Sequence, residues 1–112
     1  MINSNFSSEE AVNKMPGKTR EEILNLLSQN KHKLENRFKV HRMALFGSYA
    51  RGDQRSDSDV DILVDIDPSV GLEFVILAEQ IEQLLGLPIE LVSRRAIKPN
   101  KFKYIEKDLI YV

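Results

Sequence analysis

The run Asp59-Val60-Asp61-Ile62-Leu63-Val64-Asp65-Ile66 alternates with a period of two, and this constrains the fold more tightly than any other stretch of the chain. Successive side chains of a strand point to opposite faces. Asp59, Asp61, Leu63 and Asp65 therefore share one face, and Val60, Ile62, Val64 and Ile66 share the other. The second face is wholly apolar and needs cover. Asp67-Pro68-Ser69 stops the strand.

Helical periodicity on either side supplies the cover. Thr19-Arg20-Glu21-Glu22 reads as a capping box, Thr19 with Glu22 three residues on. Ile23, Leu26, Leu27, Leu34 and Phe38 then mark one stripe, interrupted by Asn30, and predict a helix over about 19–37. Val40–Phe46 reads as a strand ended by Gly47. Ser48–Arg51 has room for one or two helical turns, and 52–58 is loop by composition. The apolar spacing of 71–85 predicts a second helix with Gly86 as its stop. Leu87–Val92 reads as a third strand. Pro99 opens a last helix to about Asp108, and Ile110-Tyr111-Val112 adds an edge strand or a packed tail. This order predicts an α/β domain of the two-layer α+β kind, a mixed sheet with helices packed on it.

A chain of 112 residues suits one domain, here 18–112, preceded by a polar arm over 1–17 that ends in Met15-Pro16-Gly17. Sixteen basic against 17 acidic residues leave a net charge of −1, with no global drive towards nucleic acid or an anionic membrane. The absence of cysteine excludes disulfides and thiolate zinc sites. No segment approaches 18 consecutive apolar residues and no apolar signal core opens the chain, so a cytoplasmic protein is expected.

Chemistry concentrates between Gly47 and Asp65. On a strand, Asp59 and Asp61 point the same way with Cα atoms roughly 6–7 Å apart. Paired carboxylates repel unless a cation lies between them, and magnesium takes one or two carboxylates plus substrate phosphates. Asp65 shares the face but lies roughly 20 Å from Asp59, too far for the same ion. Gly47 at a strand end permits close backbone approach, and Ser48 at the start of a helical turn would present N–H groups and a hydroxyl to an anion. Each half alone is common in ordinary strands and turns.

Together they read Gly47-Ser48, ten residues, Asp59-Val60-Asp61, with Ala50-Arg51-Gly52 and Ser58-Asp59 also fitting. This pattern resembles the minimal nucleotidyltransferases of the DNA-polymerase-β-like superfamily, in particular the antitoxins paired with HEPN-domain toxins. The sharp motif covers about 43–65, and a weaker likeness in element order covers 19–112. The resemblance implies a nucleotidyltransferase fold and a third carboxylate on a neighbouring strand, for which Glu90 is the placed candidate, with Glu where the family usually has Asp. Asp59, Asp61 and Glu90 would be the catalytic metal ligands, and Gly47 and Ser48 would cradle the β- and γ-phosphates. Arg51 would reach a phosphate or fix the motif loop, the second being favoured. Tyr49 would line the pocket or face solvent. His32 and His41 lack a metal-ligand pattern.

The implied reaction is magnesium-dependent transfer of AMP from ATP to a hydroxyl. At this length no second lobe to close over the donor is expected, so a partner would supply that wall: by analogy a HEPN toxin, with a tyrosine as acceptor. Membrane and direct nucleic-acid partners are not expected. The alternatives are an antitoxin that neutralises by binding alone, and a stand-alone transferase for a small molecule.

Overall fold

The computed structural model describes residues 18–112; the expected arm over 1–17 lies outside them. Helix α1 spans Arg20–Phe38. Its capping box is closed on both sides: the Glu22 N–H donates to Thr19 Oγ1 at 3.2 Å, and the Thr19 N–H donates to Glu22 Oε1 at 2.8 Å. Ile23, Leu27, Leu34 and Phe38 are the buried stripe. Asn30, which breaks that stripe, donates from Nδ2 to the Leu26 carbonyl at 2.8 Å. Thr19→Ala removes the cap and should lower stability by about 1 kcal/mol in urea unfolding.

Strand β1 (Val40–Phe46) leads directly into the short helix α2 (Gly47–Arg51). Strand β2 (Val60–Ile66), helix α3 (Glu73–Leu85) and strand β3 (Ile89–Ser93) follow. A 3-10 turn at Arg94–Ala96, helix α4 (Pro99–Glu106) and strand β4 (Ile110–Tyr111) complete the domain. The sheet order is β3-β2-β1-β4. β1 runs antiparallel to β2 and to β4, whereas β2 and β3 are parallel, as the α3 crossover between them requires. The sheet is therefore mixed, and Ile110-Tyr111 takes the edge-strand alternative.

Alternation along β2 is as the sequence predicts. Val60, Ile62, Val64 and Ile66 are buried in one cluster with Ile23 and Leu27 of α1 and Leu77, Ile81 and Leu85 of α3. One face of the sheet is thus sealed by helices. Asp61 and Asp65 lie on the other face, only partly buried. Asp59 falls just outside the strand. The ladder begins one residue later, where the Val60 N–H donates to the Pro88 carbonyl at 3.0 Å. No helix among the described residues is long and apolar enough to cross a membrane.

Candidate functional site

The reversal from β1 into α2 is made at Gly47, whose φ of +74° is a backbone conformation natural to glycine. Absence of a side chain matters equally here. A Cβ at this position would overlap the Asp61 carboxylate and lie 3.2 Å from its Cβ. Gly47 thus lets the start of α2 sit directly against the acid on β2. Two bonds then fix α2: the Ser48 carbonyl accepts the N–H groups of Gly52 and Asp53 at 2.8 and 3.0 Å. A third comes from the first turn of α1, where Arg20 Nη1 donates to the Ala50 carbonyl at 2.7 Å.

Asp61 is central in register. Phe46 pairs with it on β1 and Glu90 pairs with it on β3. Equivalent register positions on neighbouring strands share a face, so the carboxylates of Asp61 and Glu90 are brought side by side. Burial, the negative charge of Glu90 and that of Asp59 push the Asp61 carboxyl up to about 6, outweighing the nearby Arg51. Hydrogen bonding to Glu90 acts in the same direction. This is a concentration of acid that lacks sufficient positive charge, and its donors are all oxygen, which is the chemistry of a hard divalent cation. The set is not closed, however. Among the described residues no three His, Asp or Glu side chains are gathered closely enough to hold a metal ion. Asp61 and Glu90 converge from paired register positions, Glu90 itself being exposed, while Asp59, also exposed, acts on Asp61 through its charge.

Two clefts meet at Asp61. The smaller, about 330 Å³, is bounded by Gly47, Ser48, Arg51, Tyr104 and Asp108. The larger, about 690 Å³, contains Glu90 and is walled by Val92, Ile97, Lys98 and Lys101. Phe46, Asp61 and Ile105 belong to both. Helix α4 therefore divides the space around one carboxylate into a side facing the Gly-Ser turn and a side facing Glu90. Its seat is fixed by Arg94, whose guanidinium lies 3.6 Å over the Phe102 ring.

Of the residues singled out in the sequence, the structure gathers Gly47, Ser48, Arg51, Asp61 and Glu90 around these clefts. Arg51 is committed to acids: Nε donates to Asp53 at 3.1 Å and Nη1 to Asp108 at 2.8 Å. These bonds are those of the loop-fixing alternative, and the second also ties the turn to the end of α4. Asp65 is engaged by Arg42 at 3.9 Å and lines neither of the two clefts. Tyr49 neither lines the site nor faces solvent. At 3% exposure it belongs to the core, because α2 lays that side of its single turn against the sheet.

The contribution of α4 is not visible in the sequence motifs: Lys98, Lys101, Ile105 and Asp108 line the clefts, as does Tyr104, which by sequence reads as a packing or interface residue. One signal was available. Lys98 and Lys101 flank the first turn of a helix, where the macrodipole disfavours cations, so their presence there asks for a reason.

The profile of the family described as "Nucleotidyltransferase domain" matches residues 27–112. The protein adenylyltransferase MntA of Thermococcus cleftensis is 44% identical over 96 residues, which cover 84% of this chain and 96% of that one. A protein of Methanocaldococcus jannaschii classed with the protein adenylyltransferases is 45% identical over 100 residues, covering 85% and 99%. Among solved structures, a minimal nucleotidyltransferase superposes with a TM-score of 0.60 at 32% identity, covering 81% of this chain and 86% of that one. A toxin–antitoxin crystal structure with AMP-PNP superposes with a TM-score of 0.61 at 25% identity, covering 84% and 72%.

Proposed function

The chain belongs to the nucleotidyltransferase domain family, and from that premise we propose that it is an antitoxin that transfers AMP from ATP to a hydroxyl of its toxin. The observation that carries the reading is the position of Asp61, in the wall common to both clefts, with Gly47 and Ser48 on one side and Glu90 on the other. A group-transfer site needs a donor and an acceptor to meet at one point, and this carboxylate marks such a point.

In this reading Gly47 and Ser48 hold the β- and γ-phosphates of ATP, using backbone N–H groups and the Ser48 hydroxyl. Arg51, occupied by Asp53 and Asp108, keeps the turn in shape. Asp61 and Glu90, with Asp59 turned inwards, would hold magnesium, which when bound offsets the triphosphate charge and polarises the transferred phosphoryl group. Glu90 faces the larger cleft and takes the acceptor proton. The acceptor oxygen bonds to the α-phosphorus, the bond from that phosphorus to the β-phosphate oxygen breaks, and pyrophosphate leaves. The acceptor is a tyrosine of a HEPN-domain toxin. The larger cleft, open and partly apolar, suits a side chain presented by a second protein. Dependence on ATP and on an intracellular partner makes the cytoplasm the site of action.

Co-expression with the product of the adjacent gene, followed by intact-mass measurement of that product, tests this. One or more AMP additions are expected with the wild-type chain and none with Asp59→Asn/Asp61→Asn. A partner that is neutralised yet unmodified would sink the enzymatic reading. A second reading, neutralisation by binding alone, draws on the exposed position of Asp59 and on Glu in place of Asp at 90. Titration separates the two. A vestigial site shows no magnesium-dependent affinity for ATP, whereas a working one does.

A further inference from the structure

A cleft of about 330 Å³ beside Gly47 and Ser48 lies at the low end of small-molecule sites, which run from about 300 to 1,000 Å³. A triphosphate leaves little room in it for ribose and purine. The nucleoside then has two ways out of the turn: past Ile105 into the larger cleft, or along the rim of the smaller one. The first way competes with the acceptor, which must approach Glu90 in that larger cleft. The second way meets Tyr104.

Tyr104 is 76% exposed, yet it lines the same cleft as Ser48 and Asp61. An aromatic ring left open at a cleft mouth is a surface that a flat heterocycle covers well. The other aromatic groups close by are spent elsewhere: Phe46 forms the shared wall and Tyr49 is in the core. The helix that carries the Tyr104 ring is also pinned on both sides. Tyr104 lies on α4 between the Arg94–Phe102 stack at 3.6 Å and the Arg51–Asp108 bond at 2.8 Å.

Resting on the donor reading above, we propose that Tyr104 is the base platform of this site. The donor nucleobase stacks on the outer face of its ring while the triphosphate runs inwards to Gly47 and Ser48. A stacked face accepts any purine, so the platform favours a nucleotide over a bare polyphosphate and discriminates weakly between adenine and guanine.

The experiment compares ATP with inorganic tripolyphosphate, both with magnesium, by calorimetry. Stacking of one base strengthens binding about 5- to 150-fold, and the wild-type chain is expected to prefer ATP to tripolyphosphate by a factor in that range. Tyr104→Ala should erase the preference by weakening ATP alone. Tyr104→Phe should keep it, since the ring and not the hydroxyl is used. The chain contains no tryptophan, so Tyr104→Trp introduces a single indole whose emission ATP should quench and tripolyphosphate should not. An unchanged ATP preference in Tyr104→Ala overturns the platform, as does a loss in Tyr104→Phe equal to that in Tyr104→Ala. If the wild-type chain binds neither ligand, the donor reading itself is wrong and the platform falls with it. Intact tripolyphosphate binding with an unchanged preference sinks the platform alone.

Discussion

Asp61→Asn is expected to make the ligand-free protein more stable and to abolish transfer. Both effects come from the same carboxylate. In the fold it is held at about 6 by burial and by the charges of Glu90 and Asp59, against about 4 in an unfolded chain. A carboxyl raised on folding carries no penalty while protonated, below about pH 4. The penalty grows as pH passes from about 4 to 6 and is complete above that. In a water-free site the rise would be worth about 3 kcal/mol. Asp61 is only partly buried, and solvent screening reduces the expected gain to about 1 kcal/mol. The amide should therefore raise the urea midpoint at pH 8 and leave it unchanged at pH 4. Transfer should fall roughly 10³-fold or more, because in the proposed reading the lost group contributes several kcal/mol through the cation it would hold. Equal loss of stability and activity would mean that Asp61 is a structural residue.

The opposite signs follow from what the sequence made visible. Alternation over 59–66 put the acids on one face and the branched residues on the other, a local property that tertiary packing did not overturn. Glu90 was legible for the same reason, as an acid inside an apolar strand, and parallel pairing then set it beside Asp61. Exclusion of Asp65 from the site needed only the strand rise per residue, and its pairing with Arg42 accords with this. Where a strand begins is less legible, because it depends on the partner. The Pro88 carbonyl takes the Val60 N–H, so the ladder starts after Asp59 and leaves that carboxylate exposed.

The walls of the clefts were beyond reach for a related reason. No local spacing connects residue 61 with residue 105; only the fold of α4 over the open sheet face does. Tyr49 shows the same limit in reverse. Beside the Gly-Ser pair it is expected to line the pocket or face solvent, but a helix of five residues has one inward side, and Tyr49 occupies it.

Gly47→Ala tests whether the Gly-Ser turn and the carboxylate form one unit. Two separate costs are expected. The φ of +74° is unfavourable for alanine by about 1–2 kcal/mol whatever surrounds it. The new methyl would also overlap the Asp61 carboxylate. That group is the end of a side chain and can rotate away, so the overlap is relieved at small energetic cost, by taking the carboxylate out of register with Glu90. Displacement of a reacting group by about an ångström costs roughly 10²-fold in rate. The expected result is a modest loss of stability with a large loss of transfer, in contrast with Asp61→Asn, which gains stability. The two costs can be separated in an Asp61→Ala background. There the methyl meets no carboxylate, only the Cβ at position 61 at 3.2 Å, and Gly47→Ala should cost the backbone strain and a small adjustment of that contact, with no further loss of ATP affinity. A stability cost that is unchanged in that background would show only that strain dominates it. Affinity for ATP that falls again there would show that Gly47 acts on the donor independently of Asp61, and the turn and the acid would then be separate devices.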